Sequence, residues 1–351
     1  MDLRLRTVKG LVSFLRKSLE RWPPLSPGIR WRAFIHGFLP RSAALYRLEE
    51  SIGEYMPDFH RSLYSPRVNG SSDHIINNKA VFSLLMEALA IPAPRLFGWL
   101  QGGRWRPADP QGMAVAEAAE AMGALLEAEG KLVIKPVKGR KGIGLVFLSR
   151  CDGALQVNGR TLAGDQLSAL ANRPGRYIVT SFAEQAEYAR GLYPRTTNTV
   201  RLLTLWDFGA GRPFLAAAAQ RIGSSRSFPV DNFQGGRGGL SAEVGPGGEL
   251  GRAACLSAAG KLTWHSCHPE TGGAIEGVVI PRWTETVERI LVAAARMPFA
   301  PGLAWDVVWT ADSFQVLELN GAPGLFLHQV HRPLLQDPRI RDFYRQCGVI
   351  R

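Results

Sequence analysis

The sequence predicts an α+β chain, and three patterns predict it. GLAWDVVW and QVLELN, both rich in Val, Leu or Trp, flank the turn-forming Ala311-Asp312-Ser313 and read as paired strands. KLVIKPV and LVFLS flank a glycine-rich turn as a hairpin. Among further strands, TETVERILVAAARM carries a clear helical spacing. The 351 residues, 46% hydrophobic, suffice for two or three cores and are too apolar for disorder.

Taken in order, residues 3–21 place Leu3, Val8, Leu11, Val12, Leu15 and Leu19 at helical spacing, interleaved with Arg4, Arg6, Lys9, Arg16 and Lys17. Such a helix packs on the body, which is the expectation, or lies on an anionic membrane surface as a weak peripheral contact. WPPLSPG at 22–28 breaks it, and a second helical region spans about 30–56. NKAVFSLLMEALA reads as a helix stopped by Pro92 and followed by a strand. Residues 114–129 are Ala- and Glu-rich and helical. After the 131–149 hairpin come YIVTSF, TVRLLTLW and FLAAAAQRI as strands, with glycine loops between them and no internal repeat.

Composition narrows the function classes. No apolar run approaches the roughly 18 residues that span a bilayer, and the N-terminus has no signal-peptide core, so the expected location is the cytoplasm or the inner face of its membrane. Four cysteines without close CxxC spacing fit reduced thiols. A net charge of +12 points to anionic partners. Its basic residues are scattered without a nucleic-acid-binding signature, so no nucleic acid is expected.

Two constellations carry chemistry. Side chains alternate along a strand, so Glu318 and Asn320 share one face with Leu317 and Leu319 on the other; with Asp306 on the same side of the neighbouring strand, three hard oxygen ligands converge and suit Mg²⁺. Solvent-facing edge carboxylates are the bland alternative. Lys135 ends an apolar strand, where its stem is buried and its ammonium can meet a phosphate. Gly139, Gly142 and Gly144 then let backbone N–H groups approach phosphate oxygens, although neither a Walker A loop nor a GxGxxG fingerprint is present. The loops 231–239 and 265–273 suit an acceptor, with Arg221, Asp231, Asn232, Arg237, His268 and Thr271 as candidates and His268 as a general base. A zinc cluster of His265, Cys267 and His268 lacks an evident fourth ligand.

The ordered set NKAVFSLLMEALAIPAP, VIKPVKGRKGIG, TTNTVRLLT, DNFQGGRGGLSAEV, CHPETGGAIEGVVIP, LAWDVVWT and VLELNGAPGLFLHQ resembles the ATP-grasp superfamily, specifically its sugar-transfer-associated branch related to α-L-glutamate ligases, over about residues 70–335. The resemblance implies an ATP-grasp fold of two α+β subdomains clasping ATP: a helical extension at 1–65, an ATP-grasp domain at 66–335 divided near 185 into a nucleotide-binding part from about 100 and a metal-binding part, and a tail at 336–351. It implies Lys135 and Lys79 on either side of the phosphates, backbone near Val179, Thr180 and Phe182 on the adenine edge, Glu184 or Glu187 on the ribose, Arg201 on the terminal phosphate, and Asp306, Glu318 and Asn320 on Mg²⁺. The implied activity is ATP-dependent ligation of a carboxylate to an amine through an acyl phosphate, on a small-molecule, saccharide or amino-acid substrate; Arg221 is the candidate to neutralise the acyl phosphate or the tetrahedral oxyanion. A sugar-hydroxyl kinase and a non-catalytic regulator of polysaccharide assembly are the alternatives.

Overall fold

The computed structural model describes residues 3–20, 25–109, 116–139, 142–151, 153–161 and 166–351. Helices α1 (Leu3–Ser18), α2 (Pro27–Ile35), α3 (Pro40–Leu45), α4 (Leu48–Ser51), α5 (Asp58–Tyr64), α6 (Pro66–Asn69) and α7 (Asp73–Ile76) precede α8 (Lys79–Ala88). The single helical region expected at 30–56 is therefore several short helices. Gly37, at φ 80°, turns the chain tightly against Phe59, and Pro40 has no N–H with which to continue the preceding helix. Residues 22–24, where the first break was expected, lie outside the described residues, as do 114–115 of the expected helix 114–129. Helix α8 ends at Ala88 rather than at Pro92, because Ala90 adopts a left-handed φ of 55°.

Strands β1 (Leu96–Gln101), β2 (Arg104–Pro107) and β3 (Ala116–Glu117) lead into α9 (Ala118–Glu129). Then come β4 (Lys131–Pro136), β5 (Val146–Cys151), β6 (Ala154–Val157), β7 (Arg160–Thr161), α10 (Gln166–Ala171), β8 (Arg176–Ser181) and α11 (Glu187–Leu192). The third stretch holds β9 (Val200–Asp207), β10 (Arg212–Ile222), β11 (Leu240–Val244), β12 (Leu250–Leu256), β13 (Leu262–His265), α12 (Trp283–Ala295), β14 (Gly302–Trp309), β15 (Phe314–Asn320), α13 (Phe326–Gln329) and α14 (Pro338–Gln346). Among these, two sheets form, in the orders β3-β2-β1-β8-β4-β5-β6-β7 and β13-β12-β11-β10-β9-β14-β15, and every pairing is antiparallel.

The first sheet buries Leu132, Ile134, Leu148 and Val179 against Met122 and Leu126 of α9. The second packs α8 and α12 on one core, where Phe82 and Met86 meet Ile290, Leu303, Trp305 and Val316. Residues at the C-terminus are firmly docked: Ile340, Phe343 and Tyr344 of α14 are buried with Leu203 and Leu205 of β9. On another side, Phe38, Leu45 and Tyr46 bury against Ala219, Ala254 and Leu256, which attaches the N-terminal helices to the second sheet.

Candidate functional site

The site starts as a row across three strands. Arg201 of β9 stands opposite Asp306 of β14, and Asp306 opposite Glu318 of β15, so antiparallel register puts all three on one face. A register shift beside Asp306 leaves Leu317 as the extra residue of a bulge. This corrects the simple alternation expected of β15: Leu319 is buried, whereas Leu317 is half-buried like Glu318 and Asn320.

Asp306 is buried and doubly held. Its Oδ1 and Oδ2 accept from Arg201 Nε and Nη2 at 2.7 and 2.8 Å, and Oδ2 lies 3.2 Å from Arg221 Nη1. Burial alone would raise its pKa, but the two guanidiniums outweigh burial and hold it below the usual carboxylate range. Burial opposes the charge of Arg201 too, yet its bond to Asp306 carries the pKa above the ordinary value. Arg221 also donates from Nε and Nη2 to Thr199 Oγ1 at 2.9 and 2.5 Å, and its Nη2 is 3.2 Å from Asp231 Oδ1. Thr199 in turn donates its amide and its hydroxyl to Asp231 Oδ2 at 2.8 and 2.6 Å. Burial raises the pKa of Asp231 despite these partners.

The two lysines come from helix α8 and from the first sheet. Asn78 caps α8 by accepting from Ala80 N at 3.1 Å, which fixes Lys79 in the first turn; its Nζ lies 3.3 Å from both Glu318 Oε1 and Gly139 O. Lys79 N donates to Val137 O at 3.2 Å, tying α8 to the first sheet. Lys135, at the end of β4, is buried and makes no ion pair among the described residues. Burial pushes its pKa down to about 8; Glu318 works against that shift and Lys79 adds to it. The glycine turn then comes back against the loop between β10 and β11. At Gly142, with φ 72°, a Cβ would stand 3.3 Å from Val230 Cγ1, so a side chain there meets both strain and contact.

Most other expected residues stand apart from this centre. Val179 and Thr180 lie in β8, paired with β4 on one side and β1 on the other, so their backbone is committed to the sheet and cannot serve an adenine edge. Only from Phe182 does the chain leave that sheet. Glu184 is exposed and pairs with Lys131 at 2.5 Å, and Glu187 opens α11. Asp231 is turned into the Thr199–Arg221 network and is not placed for direct substrate contact. Asn232 accepts from Gln234 N at 3.1 Å, Thr271 accepts from Gly273 N at 3.3 Å, and Arg237 is exposed.

His268 cannot act as the general base in this arrangement. It is 1% exposed and stacked on Tyr193; its Nδ1 accepts from Glu270 N at 3.2 Å, which leaves the proton on Nε2 to be donated to Gly223 O at 2.9 Å. Both nitrogens are thereby occupied, and the ring braces the loop. His265 Nε2 lies 3.0 Å from Thr263 Oγ1, and no group of three His, Cys, Asp or Glu is placed to hold a metal among the described residues, so the zinc alternative finds no support.

Sequence reasoning missed Thr199, which orients Arg221, and His328 of α13. His328 is 3% exposed, and neither ring nitrogen has a hydrogen-bond partner among the described residues. Burial, reinforced by Arg201, pushes its pKa down to about 3, and His331, beside Ser241 Oγ at 2.9 Å, is pushed to about 3 by burial and Arg332. Below the unfolded value of 6.5 the unfolded chain binds protons that these folded rings refuse. Stability is therefore full above that value and falls as pH drops toward 3, by up to about 1.4 kcal/mol per pH unit for each ring. Urea midpoints should decline from about pH 7 to 5, and His328→Gln should decline less steeply. Equal slopes would remove His328 as a source.

Basic side chains from α8 and both sheets, gathered around carboxylates on β14 and β15, define the class: an α+β protein with a cationic centre between two antiparallel sheets. The profile of the sugar-transfer-associated ATP-grasp family matches residues 59–338, and the chain belongs to that family and has its ATP-grasp fold. No curated protein sequence matches. Similar solved structures include D-alanyl-alanine synthetase A of Vibrio cholerae, at 13% identity and TM-score 0.45, covering 82% of this chain and 65% of that one. The ATP-grasp ligase PsnB with its minimal precursor is 14% identical, TM-score 0.41, covering 80% and 64%. The ADP complex of N5-carboxyaminoimidazole ribonucleotide synthetase is 14% identical, TM-score 0.40, covering 73% and 47%. The chain thus spans between about half and two-thirds of the length of these structures, and likenesses this distant carry no argument about its chemistry.

Proposed function

We propose that the chain is an ATP- and Mg²⁺-dependent ligase that joins a carboxylate to an amine or similar nucleophile through an acyl phosphate, in the modification of a cell-surface saccharide or peptide. The observation that carries this is Lys135, a buried ammonium with no ion pair among the described residues, beside a second lysine. A phosphate would supply the missing anion. Counting Lys79, Lys135, Arg201 and Arg221 against Asp231, Asp306 and Glu318, the centre retains a positive surplus, as a polyanion site requires. Membership of a sugar-transfer-associated ATP-grasp family supports the nucleotide and a link to saccharides.

The donor set suits Mg²⁺ in kind: Glu318 and Asn320 offer oxygens on the face of Asp306. Because both Asp306 oxygens already accept from arginine, Glu318 is the principal ligand and Asp306 the anchor for the arginines. Bound there, Mg²⁺ would neutralise charge on the transferring phosphoryl group. Lys79 and Lys135 hold the phosphates, with Gly139, Gly142 and Gly144 covering them; Arg201 faces the terminal phosphate and Arg221 the developing oxyanion. Phe182 and the residues after it take the adenine edge, and Glu184 or Glu187 the ribose. Residues 1–65 form a helical extension and 66–335 the catalytic body, placed in the cytoplasm.

Release of ADP from ATP with a panel of carboxylates, amines and sugars tests this proposal. Amine-dependent ADP release supports ligation, and ADP with a phosphorylated sugar would replace it by a kinase. Nucleotide binding without ADP under every combination would leave a regulator instead.

A further inference from the structure

Helix α1 turns the wrong way for a helix whose purpose is packing. At 100° per residue, Val8, Leu11, Val12 and Leu15 fall in one stripe about 100° wide. All four are exposed, Val12 at 60%, as is Leu19 just after the helix at 79%. What meets the body is a different side: a Cβ on Gly10 would stand 3.0 Å from Ser62 O, and Phe14 is buried, edge-on to Phe59 with centroids 5.4 Å apart. The packed helix expected from the sequence is thus attached to α5 by its less apolar side, with its apolar stripe in water.

Helix α2 repeats the arrangement. Ala33 is buried, while Trp31 at 65% and Ile35 are exposed on the opposite side, with Phe34 exposed beside Trp31 and Arg30 and Arg32 on the flanks. The Phe34 ring lies 6.1 Å from both Phe14 and Trp31, so the two helices adjoin. The first 36 residues hold eight Lys or Arg against two Asp or Glu, so half of the net charge of +12 sits in about a tenth of the chain. Like charge of that density opposes a second copy of the same face and favours an anionic one. An exposed tryptophan among apolar side chains with arginine beside them also matches the polarity step of a headgroup region.

We propose that the exposed faces of α1 and α2 dock on an anionic lipid bilayer, holding the ATP-grasp body at a membrane surface. The inference is independent of the ligase proposal. Sedimentation of the full chain with vesicles tests it, using phosphatidylcholine alone and an equal mixture with phosphatidylglycerol, at low salt and at about 1 M salt, where the Debye length is about 3 Å. Binding to the mixed vesicles should exceed binding to neutral ones by about tenfold or more and weaken at high salt. Because Val12 and Leu15 are exposed, V12E/L15E should keep the wild-type circular dichroism and urea midpoint while losing about tenfold or more of the vesicle binding. Equal binding to both vesicle types, undiminished binding of the folded variant, or a wild-type dimer that the variant dissociates without either protein sedimenting, would overturn the proposal.

Discussion

Asp306→Asn will lower the stability of the folded chain by about 3–5 kcal/mol, the cost of removing one partner from a buried ion pair. The carboxylate is 6% exposed and is the common acceptor for Arg201 and Arg221, which are 16% and 13% exposed. An amide in its place offers one acceptor and no charge, so two nearly buried guanidiniums are left short. Glu318→Gln, two strands away from Arg201, has a different consequence. Its side chain is 31% exposed and makes one 3.3 Å contact with Lys79, which keeps Gly139 O as a partner, so the loss of stability is about 1 kcal/mol. The variant should therefore fold normally, need more Mg²⁺ and lose most ADP formation, since in the proposed site its charge holds the metal. Urea midpoints and ADP release against Mg²⁺ for each variant separate the two roles, and the pair should lose less than the sum. A wild-type midpoint in Asp306→Asn would show that the arginines do not depend on it; a wild-type Mg²⁺ dependence in Glu318→Gln would remove Glu318 from the metal site.

Much of the fold was legible because it is local. The β4–β5 hairpin and the β14–β15 pair are apolar runs joined by turn residues, and periodicity reads such units directly. Even there the bulge at Leu317 was invisible, since it depends on how β15 meets its partner. The network from Asp306 through Arg201 and Arg221 to Thr199 and Asp231 joins side chains as far as 105 positions apart, and no spacing encodes that. Asp231 accordingly looked like a substrate contact and proved to be the second anchor of Arg221. His268 looked like a base because a sequence shows a titratable group and hides its partners; both its nitrogens are engaged. The direction of the α1 stripe was equally hidden, because the pattern of a helix gives its apolar face and not what that face meets.

Lys135→Ala should weaken nucleotide binding at least tenfold, and the pH dependence of the wild type should identify this lysine as the cause. A charge-assisted phosphate contact is worth about 1.5–3 kcal/mol, which is roughly a tenfold to hundredfold change in affinity. Alanine also relieves the chain of a buried ammonium, so the variant should fold at least as well as the wild type. The sign with pH follows from the depressed value. Burial puts the Lys135 pKa near 8, so the ammonium is mostly charged at pH 7 and mostly neutral at pH 9. Phosphate binds the charged form and returns its pKa toward the ordinary value of 10.5. Between those two values each pH unit should raise the nucleotide Kd by up to about tenfold, whereas below about 8 the affinity should be flat. Lys135→Arg keeps its charge throughout that range and should lose the pH dependence even if its bulk costs some affinity. Titrations of an ATP analogue with Mg²⁺ at pH values on either side of 8 measure all three proteins. A flat wild-type profile, or an alanine variant that is folded and binds as tightly as wild type, would take Lys135 out of the site and leave the cationic centre without its phosphate.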